Sequence, residues 1–405
     1  MVASIFLGAF MGLLHPAVSH SLSSRTLAED GISVPRLKTD FKKGDTPAKW
    51  AEGYPKKWGS EDYRFQFNIP DPSDTFNAML TEDEKYLAMF NGSHATFVDV
   101  NSKTTISTFG LSSGFVEVGL AIRSIPQGGY EIFTGGGSTI HQRRVSSDLK
   151  LTGDPVSYPG DMKALQGKRL VTSSKAKFTI YDLSSPNRTS VELKNPPAIS
   201  DMSFSSDGRY LSSVSWLDMV ADLWNTTTGE KIIQFPKANA QNWITRISPD
   251  DKHVFNTLGT GFVRVYSLAN LTAEPKVLGA FRSRIGTCEW SPDGKYLAAG
   301  DSGRMQVWKF PEAQLVQTWD IDFSNSANSS YVRDALHLTW LDNGSKVSWT
   351  YRYGRYMYDF ESNLKYWWTP GYDDHAWRDG GVSFLKKTGH VATTDGDSRV
   401  RLWKI

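Results

Sequence analysis

Cysteine is almost missing from this chain: among 405 residues only Cys288 is one. No internal disulfide can form, and a core must hold by packing alone. Cys288 lies in Gly286-Thr287-Cys288-Glu289-Trp290, with no cationic neighbour to activate a thiol, so it reads as a small buried apolar residue. Long apolar runs are missing too: no stretch reaches the roughly 18 residues of a membrane-spanning helix, so no membrane span is predicted. An excess of one charge is also absent, with Lys+Arg 45 against Asp+Glu 43 and a net charge of +2. Without a basic stripe, neither nucleic acid nor an anionic membrane is a predicted partner. No nucleophile elbow and no phosphate-binding glycine loop occur. Gly135-Gly136-Gly137-Ser138 stands between Tyr130-Glu131-Ile132-Phe133 and Ile140 and reads as a turn. His94, His141, His253, His337, His375 and His390 show no metal-ligand spacing. No catalytic residue, metal or cofactor is therefore assigned.

What is present is a repeat, clearest from Trp290 to Phe310 (WSPDGKYLAAGDSGRMQVWKF). In the turn Ser291-Pro292-Asp293-Gly294, proline presets φ, aspartate bonds nearby backbone and glycine accepts a positive φ. Echoes lie at Ser205–Gly208, Ser248–Asp251, Thr81–Glu84 and Leu341–Gly344, with weaker ones near Gln127, Gln166 and Thr388. Neighbouring copies stand roughly 40–50 residues apart, the period of a four-stranded propeller blade. After each turn comes a run such as Tyr296-Leu297-Ala298-Ala299-Gly300, apolar or small on both sides, as suits a strand covered on both faces. Third strands follow, among them Ile180–Leu183, Leu223–Asn225, Val307–Phe310 and Leu402–Ile405. The expected fold is all-β: one propeller over 61–405 with eight blades, or seven if the weak unit around Lys163 to Leu183 is an insertion. The chain stops at the close of a third strand. Tyr63–Ile69 alternates large apolar and polar residues, as an outer strand should, and is predicted to pair with Val400–Ile405 and close the ring.

The segments SPDGKYLAAG…VWKF, SSDGRYLSSV…DLWN and TTDGDSRVRLWKI resemble the WD40 family, over about Tyr63 to Ile405. The resemblance implies a β-propeller that is most often a non-catalytic platform for binding other molecules. The chain departs from the family pattern in its histidines. The family sets a Gly-His well ahead of the closing tryptophan, where the histidine joins a buried network with a turn aspartate. Here Gly389-His390 opens a second strand instead, and Asp301 and Asp397 match the turn aspartate without a histidine partner.

Ile5 to Leu14 is short, apolar and uncharged, and Ala17-Val18-Ser19 follows it. That is the pattern of a secretory signal over 1–19, although no Lys or Arg precedes Arg25. Residues 20–60, rich in Lys, Asp, Gly and Pro, read as a flexible lead-in. Glycan acceptors of the Asn-x-Ser/Thr type occur at Asn91, Asn187, Asn225, Asn270, Asn328 and Asn343, all in expected turns. A second unusual feature is the loop Tyr366 to Arg378. Trp367, Trp368, Tyr372, Asp373, Asp374, His375, Trp377 and Arg378 combine large rings with charges, as a sugar platform or protein hot spot would. The alternating rings Trp349, Tyr351, Tyr353, Tyr356, Tyr358 and Phe360 read instead as core between blades. Together these features predict a secreted, monomeric, non-enzymatic propeller that binds a protein or a glycan. Two alternatives stand beside it: a hydrolase, lactonase or lyase using the central channel, and a cytoplasmic scaffold.

Overall fold

The computed structural model describes residues 25–27, 33–66, 77–90, 94–111, 120–126, 128–136, 138–185, 188–322, 336–351, 354–369, 381–395 and 399–405. Eight antiparallel sheets of four or more strands follow one another around a ring. Blade four shows the pattern: Asp201–Phe204 innermost, then Tyr210–Ser215, Val220–Asn225 and, outermost, Lys231–Gln234. The weak unit is a full blade, the third, built from Asp161–Gln166, Arg169–Ser174, Lys177–Asp182 and Ser190–Glu192. Eight, not seven, is therefore the blade number. The second strands are buried along nearly their whole length, as in Tyr296–Gly300, because neighbouring blades cover both faces. Outer strands that carry no added strand are wet on one side, and Thr105–Gly110 alternates accordingly.

The ring closes as the alternation of residues 63–69 predicts. Tyr63–Gln66 is the outer strand of blade eight, antiparallel to Arg399–Lys404, with Val400 opposite Phe65 and Leu402 opposite Tyr63. Residues 67–69 lie outside the described residues. Closure leaves first and last blades joined through the chain's two ends, so neither presents an open edge at the seam.

The turns work as their sequence suggests. Ser291 Oγ–H donates to Asp293 Oδ1 (2.7 Å), Asp293 Oδ1 accepts the Lys295 N–H (3.1 Å), and Ser291 Oγ accepts the Tyr296 N–H (2.9 Å). Gly294 sits at φ +69°, where a side chain would be strained. The same hydroxyl–carboxylate pair recurs at Thr81/Asp83, Ser205/Asp207 and Ser248/Asp250. Burial opposes ionisation of these four aspartates, but the hydroxyl, the backbone N–H and a nearby cation outweigh it and hold each carboxyl below its ordinary value.

Asp301 has replaced its missing histidine with backbone. Its carboxylate accepts the N–H groups of Arg282, Ser283, Gly303 and Arg304 and is fully buried. Third-strand tryptophans bond to the neighbouring second strand: Trp224 Nε1–H donates to Ser213 Oγ (2.8 Å) and Trp403 Nε1–H to Thr393 Oγ1 (2.9 Å).

The lead-in differs from its expectation. Composition pointed to a flexible segment, but residues 37–60 run across the outside of three blades. Leu37–Thr39 adds a fifth strand to blade six, beside Gln314–Ile321. Lys49–Trp50 and Lys56–Lys57 add parallel pairs to the outer strand of blade seven, Leu364–Thr369. Phe41 is 1% exposed, stacked on Tyr358 (4.4 Å, 7°) and edge-on to Trp349 (5.4 Å). Lys365 pairs with Asp40, and Tyr54 O–H donates to the Lys404 carbonyl (2.9 Å). The segment escapes a reading by periodicity because its strands are two or three residues long, too short to show an alternation.

Candidate functional site

The residues nominated on the Tyr366–Arg378 loop divide in two. Tyr372, Asp373, Asp374, His375, Trp377 and Arg378 lie outside the described residues. Trp367 and Trp368 are not on an exposed loop but in the outer strand of blade seven, 8% and 1% exposed. Trp367 stacks on Tyr356 (4.9 Å, 15°), and Trp368 leans on Trp403 (5.9 Å) and meets Tyr54 edge-on (5.6 Å). They cement blades, as do Trp349, Tyr356 and Tyr358, all nearly fully buried.

Among the glycan acceptors, Asn91, Asn187 and Asn328 lie outside the described residues. Asn270 and Asn343 are exposed. Asn225 is built into a turn: its Oδ1 accepts the Thr227 and Thr228 N–H groups (2.8 and 3.1 Å), and the buried Thr226 hydroxyl donates to the Gly208 carbonyl (2.6 Å). Cys288 is buried, and burial pushes its thiol well above the ordinary value, which leaves it no thiolate to attack with. Among the described residues no three His, Cys, Asp or Glu side chains gather as metal ligands.

A charged group that the sequence reading passed over joins the innermost strands of blades four, five and six. These strands are Asp201–Phe204, Asn242–Ile247 and Thr287–Trp290. Arg246 donates through one terminal nitrogen to Asp201 Oδ2 (2.6 Å) and through Nε to Glu289 Oε1 (3.1 Å). Asp201 Oδ2 also accepts the Thr245 N–H (2.9 Å). Two indoles fix the backbone beneath: Trp290 donates to the Arg246 carbonyl and Trp340 to the Glu289 carbonyl. The side chains of Arg246, Asp201 and Glu289 keep 31%, 26% and 34% of their surface. Burial pushes the Glu289 carboxyl up against the pull of Arg246, with Asp201 adding to the rise. Burial also works against the Arg246 charge, but its two carboxylates outweigh that and raise its value. The signal was there to find: Arg246 and Glu289 each stand two residues before the serine that opens the repeat's turn, Ser248 and Ser291.

Beside this group an aromatic stack stands at the opposite ends of the strands from the Ser-x-Asp turns. Trp216 follows the second strand of blade four and stacks on Trp243 of blade five (6.0 Å, 9°). The Arg284 guanidinium lies 4.4 Å from the Trp243 ring, within cation–π range.

Radially set four-stranded sheets, closed on themselves by the two chain ends, define this protein as a β-propeller with eight blades. The family model for the WD domain, G-beta repeat (WD40), matches residues 275–309, and together with the eight blades it supports a WD40-repeat propeller. The matched stretch begins in the outer strand of blade five, Lys276–Gly279, and ends in the third strand of blade six, Arg304–Lys309. The sequence repeat is thus offset from the structural blade by one strand, the offset that lets the N-terminal strand complete blade eight. No curated protein matches the chain.

Proposed function

We propose that this chain is a non-catalytic WD40 platform that binds protein partners in the secretory pathway or outside the cell. The WD40 propeller carries the interaction half of the reading: a rigid closed ring presents many loops at two faces, and proteins of this class typically use them to hold other proteins. The charged group on the inner strands supports binding over proton transfer, because Arg246 engages both carboxylates at once. Burial of Trp367 and Trp368 favours a protein over a glycan as partner, since neither indole offers a face to a sugar. The secretory half rests on the apolar stretch Ile5–Leu14 with Ala17-Val18-Ser19, and on acceptor asparagines such as the exposed Asn270 and Asn343.

Mass spectrometry of the protein from its natural source tests the compartment. A mature N-terminus near His20, with glycan on Asn270 or Asn343, is the expected result; an intact Met1 or Val2 start without glycans sinks the secretory half. Cross-linking in that source tests the platform, and the absence of any specifically captured protein sinks it.

A further inference from the structure

We propose that the aromatic rim of blades four and five, with the carboxylates beside it, receives a protein segment in which a lysine or arginine is flanked by bulky apolar residues. This rests on the reading of the chain as a protein-binding platform and names the partner's chemistry.

The first observation is an apolar hairpin tip. Trp216-Leu217-Asp218-Met219 joins the second and third strands of blade four, and Leu217 and Met219 are 55% and 40% exposed. Other exposed large apolar side chains, such as Ile106, Ile232, Val277 and Leu315, lie singly on outer strands. A paired exposure on a turn is the kind of surface that a partner covers.

The second observation is that this tip is held still. Asp218 Oδ2 accepts the Ala198 N–H and the Ser215 hydroxyl, and Ser215 Oγ accepts the Asp218 N–H, each at 3.0 Å. Met219 sits at φ +55°, a conformation that a long side chain adopts only when its surroundings impose it. Trp216 is locked against Trp243, and Arg284 against the Trp243 ring. A surface ordered in advance loses little entropy on binding, and Trp and Arg are the residue types that anchor interfaces.

The third observation sets the charge of the occupant. Trp243 shares its strand with Arg246, whose single guanidinium faces two carboxylates, which leaves one negative charge. All described hydrogen bonds to these carboxylates go to Asp201 Oδ2 and Glu289 Oε1, so Asp201 Oδ1 and Glu289 Oε2 remain for a donor. The Arg284 guanidinium lies over the Trp243 ring, and no described hydrogen bond joins it to either carboxylate. A partner's cation restores the balance, and apolar residues on either side of it cover Leu217 and Met219.

A synthetic peptide array tests this, with central Lys, Arg, Glu or Ser flanked by varied apolar residues, followed by fluorescence polarisation of the best sequences. The Lys and Arg peptides should bind at least about tenfold tighter than their Glu counterparts. D201N/E289Q should erase that preference. L217S/M219S, altered only at exposed positions, should weaken binding about tenfold while its melting temperature stays that of the wild type. Equal binding of Lys and Glu peptides, no binding by any peptide, or an unaffected L217S/M219S overturns the proposal. Partners cross-linked equally by wild type and L217S/M219S in the natural source would sink this surface while leaving the platform reading intact.

Discussion

Blades four and five and the two blades that follow them, six and seven, solve the same packing problem by different means. In blades four and five the serine–aspartate turns, the Trp224–Ser213 bond and the Asp201–Arg246 bridge join strands through polar contacts, and the outer strands carry exposed Ile232 and Val277. In blades six and seven the joint is aromatic. Trp319, Trp340, Trp349, Tyr356, Tyr358 and Trp367 pack as one cluster, with Phe41 of the N-terminal segment inserted in it. Polar bridges tie a blade to its neighbour at defined points and leave the outer edge open. Ring stacking fills the gap between blades and, through the added strands, covers the outer edge too. A bare edge is tolerable where it is short and twisted; the side bearing the largest rings recruits extra chain instead.

The sharpest way to break this contrast is Phe41→Ala. Removing a ring that touches both Tyr358 and Trp349 should cost about 3–5 kcal/mol, read as a lower midpoint in chemical denaturation. Val277→Ala, on the bare outer strand of blade five, should stay within about 0.5 kcal/mol. Similar costs for the two would mean that the N-terminal segment is not part of the core. Gly354→Ala should come next, at about 1–3 kcal/mol. A Cβ there would collide with the Trp367 indole and lie 2.8 Å from the Trp368 carbonyl oxygen. An unchanged melting temperature would show that the aromatic side can yield.

On the polar side, Ser248→Ala removes the hydroxyl shared by Asp250 and the His253 N–H. It should cost about 1–2 kcal/mol, and a smaller change would show the turn to be held by backbone alone. The smallest expected effect is a dependence on pH. The carboxyls of Asp83, Asp207, Asp250 and Asp293 ionise below their ordinary value in the folded chain. Below about pH 4 the unfolded chain binds more protons than the folded one. Their contribution is complete above that pH and is lost as pH falls through the depressed values. Denaturation midpoints should therefore fall on acidification, and less steeply for Asp293→Asn. An equal slope for this variant would show that the turn carboxyl has no part in acid stability.

The turns, the second strands and the closing strand were legible because each rests on local rules. In the repeat's turns a serine two residues ahead of an aspartate bonds it, as at Ser205, Ser248 and Ser291, and strict alternation of large apolar and polar residues marks an outer strand. The blade count followed once the unit from Asp161 to Glu192 proved to have all its strands. The function-bearing groups were less legible. Asp201, Arg246 and Glu289 are far apart in sequence and meet only because adjacent blades set their inner strands side by side. Trp367 and Trp368 misled for the same reason. Beside Thr369-Pro370-Gly371 they look like loop residues, but the strand runs on through Thr369 and neighbouring blades bury both rings.

By itself the sequence determined the repeat unit, the turn chemistry and a ring that its own two ends can close, because those depend on contacts within a strand pair or on the period between copies. Only the tertiary structure decided which aromatic rings are cement and which form a rim, that residues 37–60 belong to the fold, and that three distant charges share one wall. Those outcomes depend on which blade faces which, and that is set by closure of the whole ring.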